Sequence, residues 1–178
     1  TRPYEVNKGD SINLYNKWMD VCCKSIVKGN LPEYNKNIKN IISDFKKVEV
    51  KLVDKPKVGI VGEILIKYHA FGNDNLVEKL EAEGSEAFVP DLMGCVKYCA
   101  YNGMIKEKLF KTGKVSSFVY KEALNVIDLY EKPVNKYLKG TRYRKSCDIY
   151  ELAHNVEDIL STGNQTGEGW FLTAEMVE

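Results

Sequence analysis

Apolar residues change period twice between Lys55 and Leu92, in KPKVGIVGEILIKYHAFGNDNLVEKLEAEGSEAFVPDL. Val58, Ile60 and Val61 form a β-branched run interrupted by Gly59 and Gly62. That composition predicts a strand buried on both faces, with its backbone closely approached at the carboxyl end, where Glu63 leaves the sheet. Leu76, Val77 and Leu80 then make one apolar face against Glu78, Lys79, Glu81 and Glu83, the pattern of a surface helix. Asn73 or Asp74 can cap it, because a short polar side chain satisfies open N–H groups of a first turn, and Gly84 ends it. Ala87, Phe88 and Val89 read as a second strand, stopped by Pro90. The stretch is a βαβ unit, with a polar loop from Tyr68 to Asn75.

Helical spacing dominates elsewhere. Leu14, Tyr15, Trp18, Val21, Cys22 and Ile26 predict a helix from Asp10 or Ser11 to Lys28, stopped by Gly29 and Asn30. A second starts near Leu31 and Pro32, with Tyr34, Ile38, Ile41, Ile42 and Phe45 on one stripe. Val48 to Val53 alternates weakly, as an edge strand or an extended connector would. Leu92, Cys95, Val96 and Cys99 share a helical face that weakens at Asn102 and Gly103. Tyr120, Ala123, Leu124, Ile127 and Tyr130 give another helix, with a break or kink at Pro133. The basic run Lys139 to Lys145 reads as a solvated connector. Ile149, Leu152, Ala153, Val156, Ile159 and Leu160 predict a last amphipathic helix that ends at Gly163, and Trp170 to Glu178 resumes an apolar pattern.

The sum is an α/β fold, a Rossmann-like or flavodoxin-like partial sheet with several covering helices. One domain is expected over 1–178: a helical cover at 1–47, the βαβ unit at 55–92, a helical part at 93–162, and a Gly-rich loop with a cut-off element at 163–178. The chain opens without an initiator methionine and with a motif already under way, so it reads as a piece of a longer protein.

Composition narrows the function classes. Lys plus Arg number 26 against 25 Asp plus Glu, a net charge of +1, which offers no field for nucleic acid or an anionic membrane. No apolar run approaches the roughly 20 residues that span a bilayer, and no secretory leader opens the chain, so a cytoplasmic protein is expected. Cys22, Cys23, Cys95, Cys99 and Cys147 form no even framework, which argues against disulfides. Only two histidines, His69 and His154, accompany them, too few for an obvious tetrahedral zinc site. Cys95 and Cys99 stand one helical turn apart and are weak metal candidates, core thiols being the commoner use of such a pair.

Two places invite a ligand. Open α/β sheets bind beyond the carboxyl ends of their strands, which singles out Gly62, Glu63 and, across the following loop, Asn73 and Asn75. The second is GNQTGEGW, where Gly163, Gly167 and Gly169 stand among Asn164, Gln165 and Glu168. Bare backbone N–H groups before a helix can bind an anion, but the GxxxxGK[ST] of a nucleotide-binding P-loop is absent. A plain turn and a ligand loop are equally open readings of that segment.

RPYEVNKG, KPKVGIVGEI, the loop ending in NDN, VPDL and above all GNQTGEGWFLTAEM resemble the large CoA-substrate-specific enzyme activases. These are relatives of the 2-hydroxyacyl-CoA dehydratases and double-cubane cluster proteins, and the resemblance runs from Arg2 to Glu178. It implies a non-catalytic Rossmann-like module, similar to the dehydratase-like part of an ATP-dependent iron–sulfur electron-transfer protein. ATP and an iron–sulfur cluster would then belong to the longer protein, an activase or reductase, and no cofactor to this segment alone. The implied partners are other domains of the same chain and a CoA-thioester-processing enzyme. Gly62, Glu63, Asn73, Asn75 and the residues from Gly163 to Gly169 are the positions that carry over as ligand-facing. A self-contained flavodoxin-like binding domain or a structural interaction module is the alternative.

Overall fold

A computed structural model describes residues 1–178, which form eight α-helices and one two-stranded sheet. Read as one domain in sequence, the chain sorts into two compact units: Thr1–Lys55 with Tyr130–Lys145, and Pro56–Leu129 with Ser146–Glu178.

In the first unit, α1 (Asp10–Lys28) and α2 (Leu31–Lys47) pack as a hairpin. The predicted spans hold, but α1 is not capped by Asp10 or Ser11. Its N-cap is Gly9, at a positive φ of 101°, and the Glu5 carboxylate accepts hydrogen bonds from the N–H groups of Gly9 and Ser11 at 2.7 and 2.8 Å. Burial opposes ionisation of Glu5, yet these backbone bonds help to bring its pKa below the ordinary value. Gly29, at φ 61°, ends α1, and Asn30 accepts from Glu33 N–H to begin α2. Asp44 ties the pair together by accepting from Lys17 and from the Trp18 indole, both at 3.2 Å. Val48 to Val53 is a connector that touches the N-terminal segment only in a bridge between Glu5 and Val50. The basic run is no idle connector: Arg142 donates to the carbonyls of Phe45 and Val48, at 2.8 and 3.1 Å, and Tyr143 to that of Phe45 at 2.7 Å. The Phe45 carbonyl already accepts the Val48 N–H at the C-cap, so these bonds add to the closure of the end of α2.

The second unit carries the sheet. β1 (Lys57–Gly59) and β2 (Glu86–Phe88) pair in parallel with Val58 opposite Ala87, and the Ile60 N–H extends the ladder to Phe88 O at 2.8 Å. The two-strand parallel arrangement agrees with a partial α/β layer in a mostly helical chain. The expectation of a strand buried on both faces does not hold. With one partner strand only, Lys57 and Gly59 are exposed, and Ile60, just past β1, is the buried residue. The crossover contains two helices where one was predicted: α3 (Ile64–Tyr68), then α4 (Leu76–Ala82).

Helix α5 (Leu92–Phe110) passes through Asn102 and Gly103 without a break, and α6 (Lys114–Leu138) passes through Pro133. α7 (Ile149–Val156) is shorter than predicted, and Ile159 beyond it is exposed. α8 (Gly169–Val177) follows the Gly-rich loop. Tyr98, Leu124, Ile149, Leu152, Val156, Trp170 and Phe171 close the core of this unit, with Val156 and Trp170 wholly buried. Burying such side chains is worth about 1.5–3 kcal/mol each for Val or Phe, more than the propensity cost of the glycines nearby.

Candidate functional site

The residues expected at the strand end are used within the crossover. Glu63 is the N-cap of α3, accepting from Ile66 N–H at 3.1 Å, and Gly62 precedes it with open space where a Cβ would stand. Asn73 donates to the carbonyls of Ile66 and Lys67, at 3.0 and 3.1 Å, and accepts from Leu76 N–H at 3.3 Å. It thus closes the end of α3 and satisfies one first-turn N–H of α4, although the N-cap position of α4 is Asn75 and not Asn73 or Asp74 as expected. Asn75 holds a left-handed conformation at φ 53° and its side chain caps nothing.

The Gly-rich loop docks along one stripe of α5. Cys95, Tyr98 and Asn102 recur at helical spacing, and each meets a successive part of the loop. The Cys95 thiol is 3.7 Å from a Glu168 carboxylate oxygen, the Tyr98 hydroxyl donates to Gly167 O at 2.7 Å, and Gln165 donates to Asn102 Oδ1 at 2.8 Å. The Asn102 amide also donates to the Tyr98 hydroxyl at 3.2 Å, so the rungs are linked. Asn164 stays in its own turn, accepting from Thr166 N–H at 3.1 Å. Of the three glycines only Gly167 needs a left-handed φ, 58°; Gly169 opens α8 and Gly163 sits against Ser161. Below the loop, the Tyr98 ring stacks on Phe171 at 4.9 Å and meets Trp170 at 5.3 Å. Of four buried side-chain polar atoms without a partner, two are here, Gln165 Oε1 and Trp170 Nε1.

A second feature joins α3 to α8. Lys67 donates to both carboxylate oxygens of Glu175, at 2.9 and 3.0 Å, with both side chains buried. The ammonium also lies over the rings of Tyr68 and Phe171. Tyr68 donates its hydroxyl to the Pro90 carbonyl. At the start of α5, Asp91 accepts from Gly94 N–H and from the Ser146 hydroxyl.

Electrostatics make this region a set of donors. Burial, and then the charges of Glu168 and Cys99, push the Cys95 thiol up to about 11. Burial, followed by Glu175 and Asp91, pushes Tyr68 up to about 12. Tyr98 is raised by burial first and Glu168 second. Burial also raises Glu175, while Lys67 pulls it back. Three protonated groups therefore face three acceptors: Cys95 with Glu168, Tyr68 with Pro90 O, and Tyr98 with Gly167 O. A thiol so protonated is a poor nucleophile at neutral pH. No set of three or more His, Cys, Asp or Glu side chains is placed to hold a metal ion.

Tyr98, Asn102, Lys67 and Glu175 were not singled out from sequence. The signal for the first two was legible: polar residues in register with Cys95 on an otherwise apolar stripe. Lys67 and Glu175 are 108 residues apart, and nothing local pairs them. No protein-family model, curated protein or solved structure matches this chain.

Proposed function

We propose that this chain is a non-catalytic, Rossmann-like module of a longer, cytoplasmic, ATP-dependent iron–sulfur electron-transfer protein, of the kind related to CoA-substrate-specific activases and 2-hydroxyacyl-CoA dehydratases. Its work is to present a shaped surface to other domains of that protein or to a CoA-thioester-processing enzyme. The observation that carries this reading is the docking of the loop on α5. Gln165, Gly167 and Glu168, all within the motif GNQTGEGW, are held by three successive contacts to Asn102, Tyr98 and Cys95. The acid–base groups around it are already paired, which suits a positioning element better than a reaction centre. The parallel strand pair, crossed by helices, is compatible with the Rossmann-like part of the proposal. No helix here is long and apolar enough to cross a membrane.

The chain's own residues do not fit the cluster that the longer protein would carry. Thiolate clusters take about four cysteines, whereas Cys95 is turned to Glu168 and Cys99 is exposed. The cluster ligands are therefore assigned to residues outside this chain. The test is ATP-dependent electron transfer by the longer protein, wild type against Gly167→Ala and Glu168→Gln. Loss of transfer with cooperative melting retained supports the reading. Unchanged transfer in both variants defeats it.

A further inference from the structure

The first unit holds a cavity of about 370 Å³, open on one side, where α1 turns into α2. Cys22 and Ile26 of α1 face Tyr34 and Ile38 of α2 across it, and Tyr130 closes one wall. We propose that this cavity binds a neutral, largely apolar small molecule, an aromatic or branched aliphatic compound carrying one polar group.

Three observations carry the proposal. The first is charge. None of the ten lining residues is Asp, Glu, Lys or Arg, although 29% of the chain is, so a charged ligand would be desolvated there without a counter-ion. The Cys22 thiol adds no charge, since burial and then Cys23 raise its pKa. The second is rigidity. Tyr34 meets Tyr130 edge to face at 5.8 Å and donates its hydroxyl to Tyr130 O at 2.9 Å, which fixes the aromatic wall in place. A preformed wall lowers the entropic cost of binding. The third is the distribution of polar groups. Asn30 is committed to capping α2, and Tyr34 to Tyr130, which leaves the Ser25 hydroxyl and the Asn37 amide to meet a polar atom of the ligand. The volume falls at the small end of the range of about 300–1,000 Å³ typical of pockets for small organic ligands. Ile26, 77% exposed at the rim, would lose water contact when the cavity fills.

The test titrates the whole chain with N-phenylnaphthylamine, a neutral probe that brightens in apolar surroundings. Saturable binding at one site per chain is expected, weakened about tenfold or more by Ile38→Trp, which fills the cavity. Independently of any variant, the probe should slow alkylation of Cys22 by N-ethylmaleimide and leave the exposed Cys23 unaffected. If Ile38→Trp does not fold, that protection decides alone. Unprotected Cys22, or binding that a folded Ile38→Trp leaves intact, overturns the proposal. So does a dimer, detected by sedimentation, that excludes the probe, because a second copy would then be the occupant.

Discussion

The Lys67 ammonium and the Glu175 carboxylate face each other at 2.9 Å with 3% and 1% of their side chains exposed, a fully buried ion pair in the second unit. Removing one partner leaves a bare charge in the core, which costs about 3–5 kcal/mol. Lys67→Met and Glu175→Leu are each expected to lose that much in chemical denaturation. The double variant should recover most of it, because two apolar side chains leave no charge behind. Equal, additive losses in the double variant would contradict the pairing.

Cys95 should report its environment through pH. With its thiol pushed from the ordinary 9.0 up to about 11, alkylation at pH 8 should be about a hundredfold slower than for an ordinary thiol, since the thiolate is the nucleophile. Folding linkage has a definite sign. The folded state holds the proton more tightly, so this group's contribution is fully present below pH 9 and is lost as pH rises through about 11. Glu168→Gln should lower the thiol pKa only in part, because burial is the larger cause. Mass spectrometry of alkylated peptides between pH 7 and 11 measures both.

Gly103 is where α5 makes room for the Tyr120 ring. A Cβ there would overlap the Tyr120 ring, so Gly103→Ala must displace the ring. Overpacking of this kind costs about 1–3 kcal/mol, against a helix-propensity gain of about 1 kcal/mol. A lowered melting temperature is expected. In a Tyr120→Ala background the same substitution should raise it, because only the propensity gain remains.

Gly167 and Gly169 should separate. Gly167 sits at φ 58°, where an L side chain is strained, so Gly167→Ala is expected to cost about 1 kcal/mol and to loosen the Tyr98 contact. Gly169 opens α8 with its nearest neighbour, Leu160, at 3.9 Å, so Gly169→Ala should gain about 0.4–1 kcal/mol. Thermal melting of the two variants checks the opposite signs.

By itself the sequence determined the local elements. Apolar period marked α1 and α2, short apolar runs bounded by glycine or proline marked the strand pair, and Gly29, Asn73 and Gly84 acted where their conformational freedom or capping chemistry said they should. Those properties act over a few residues, so they are visible in a few residues. Tertiary structure decided the rest. Gly103 and Pro133 did not break their helices, because a helix already propagated on both sides tolerates one weak residue and Gly103 makes room for Tyr120. Arg142 became a cap for α2, 94 residues and more along the chain from the carbonyls it serves. The separation into two units, the pairing of Lys67 with Glu175 and the docking of Glu168 on Cys95 depend on which surfaces exclude water together. That is a property of the packed chain, and no window of residues carries it.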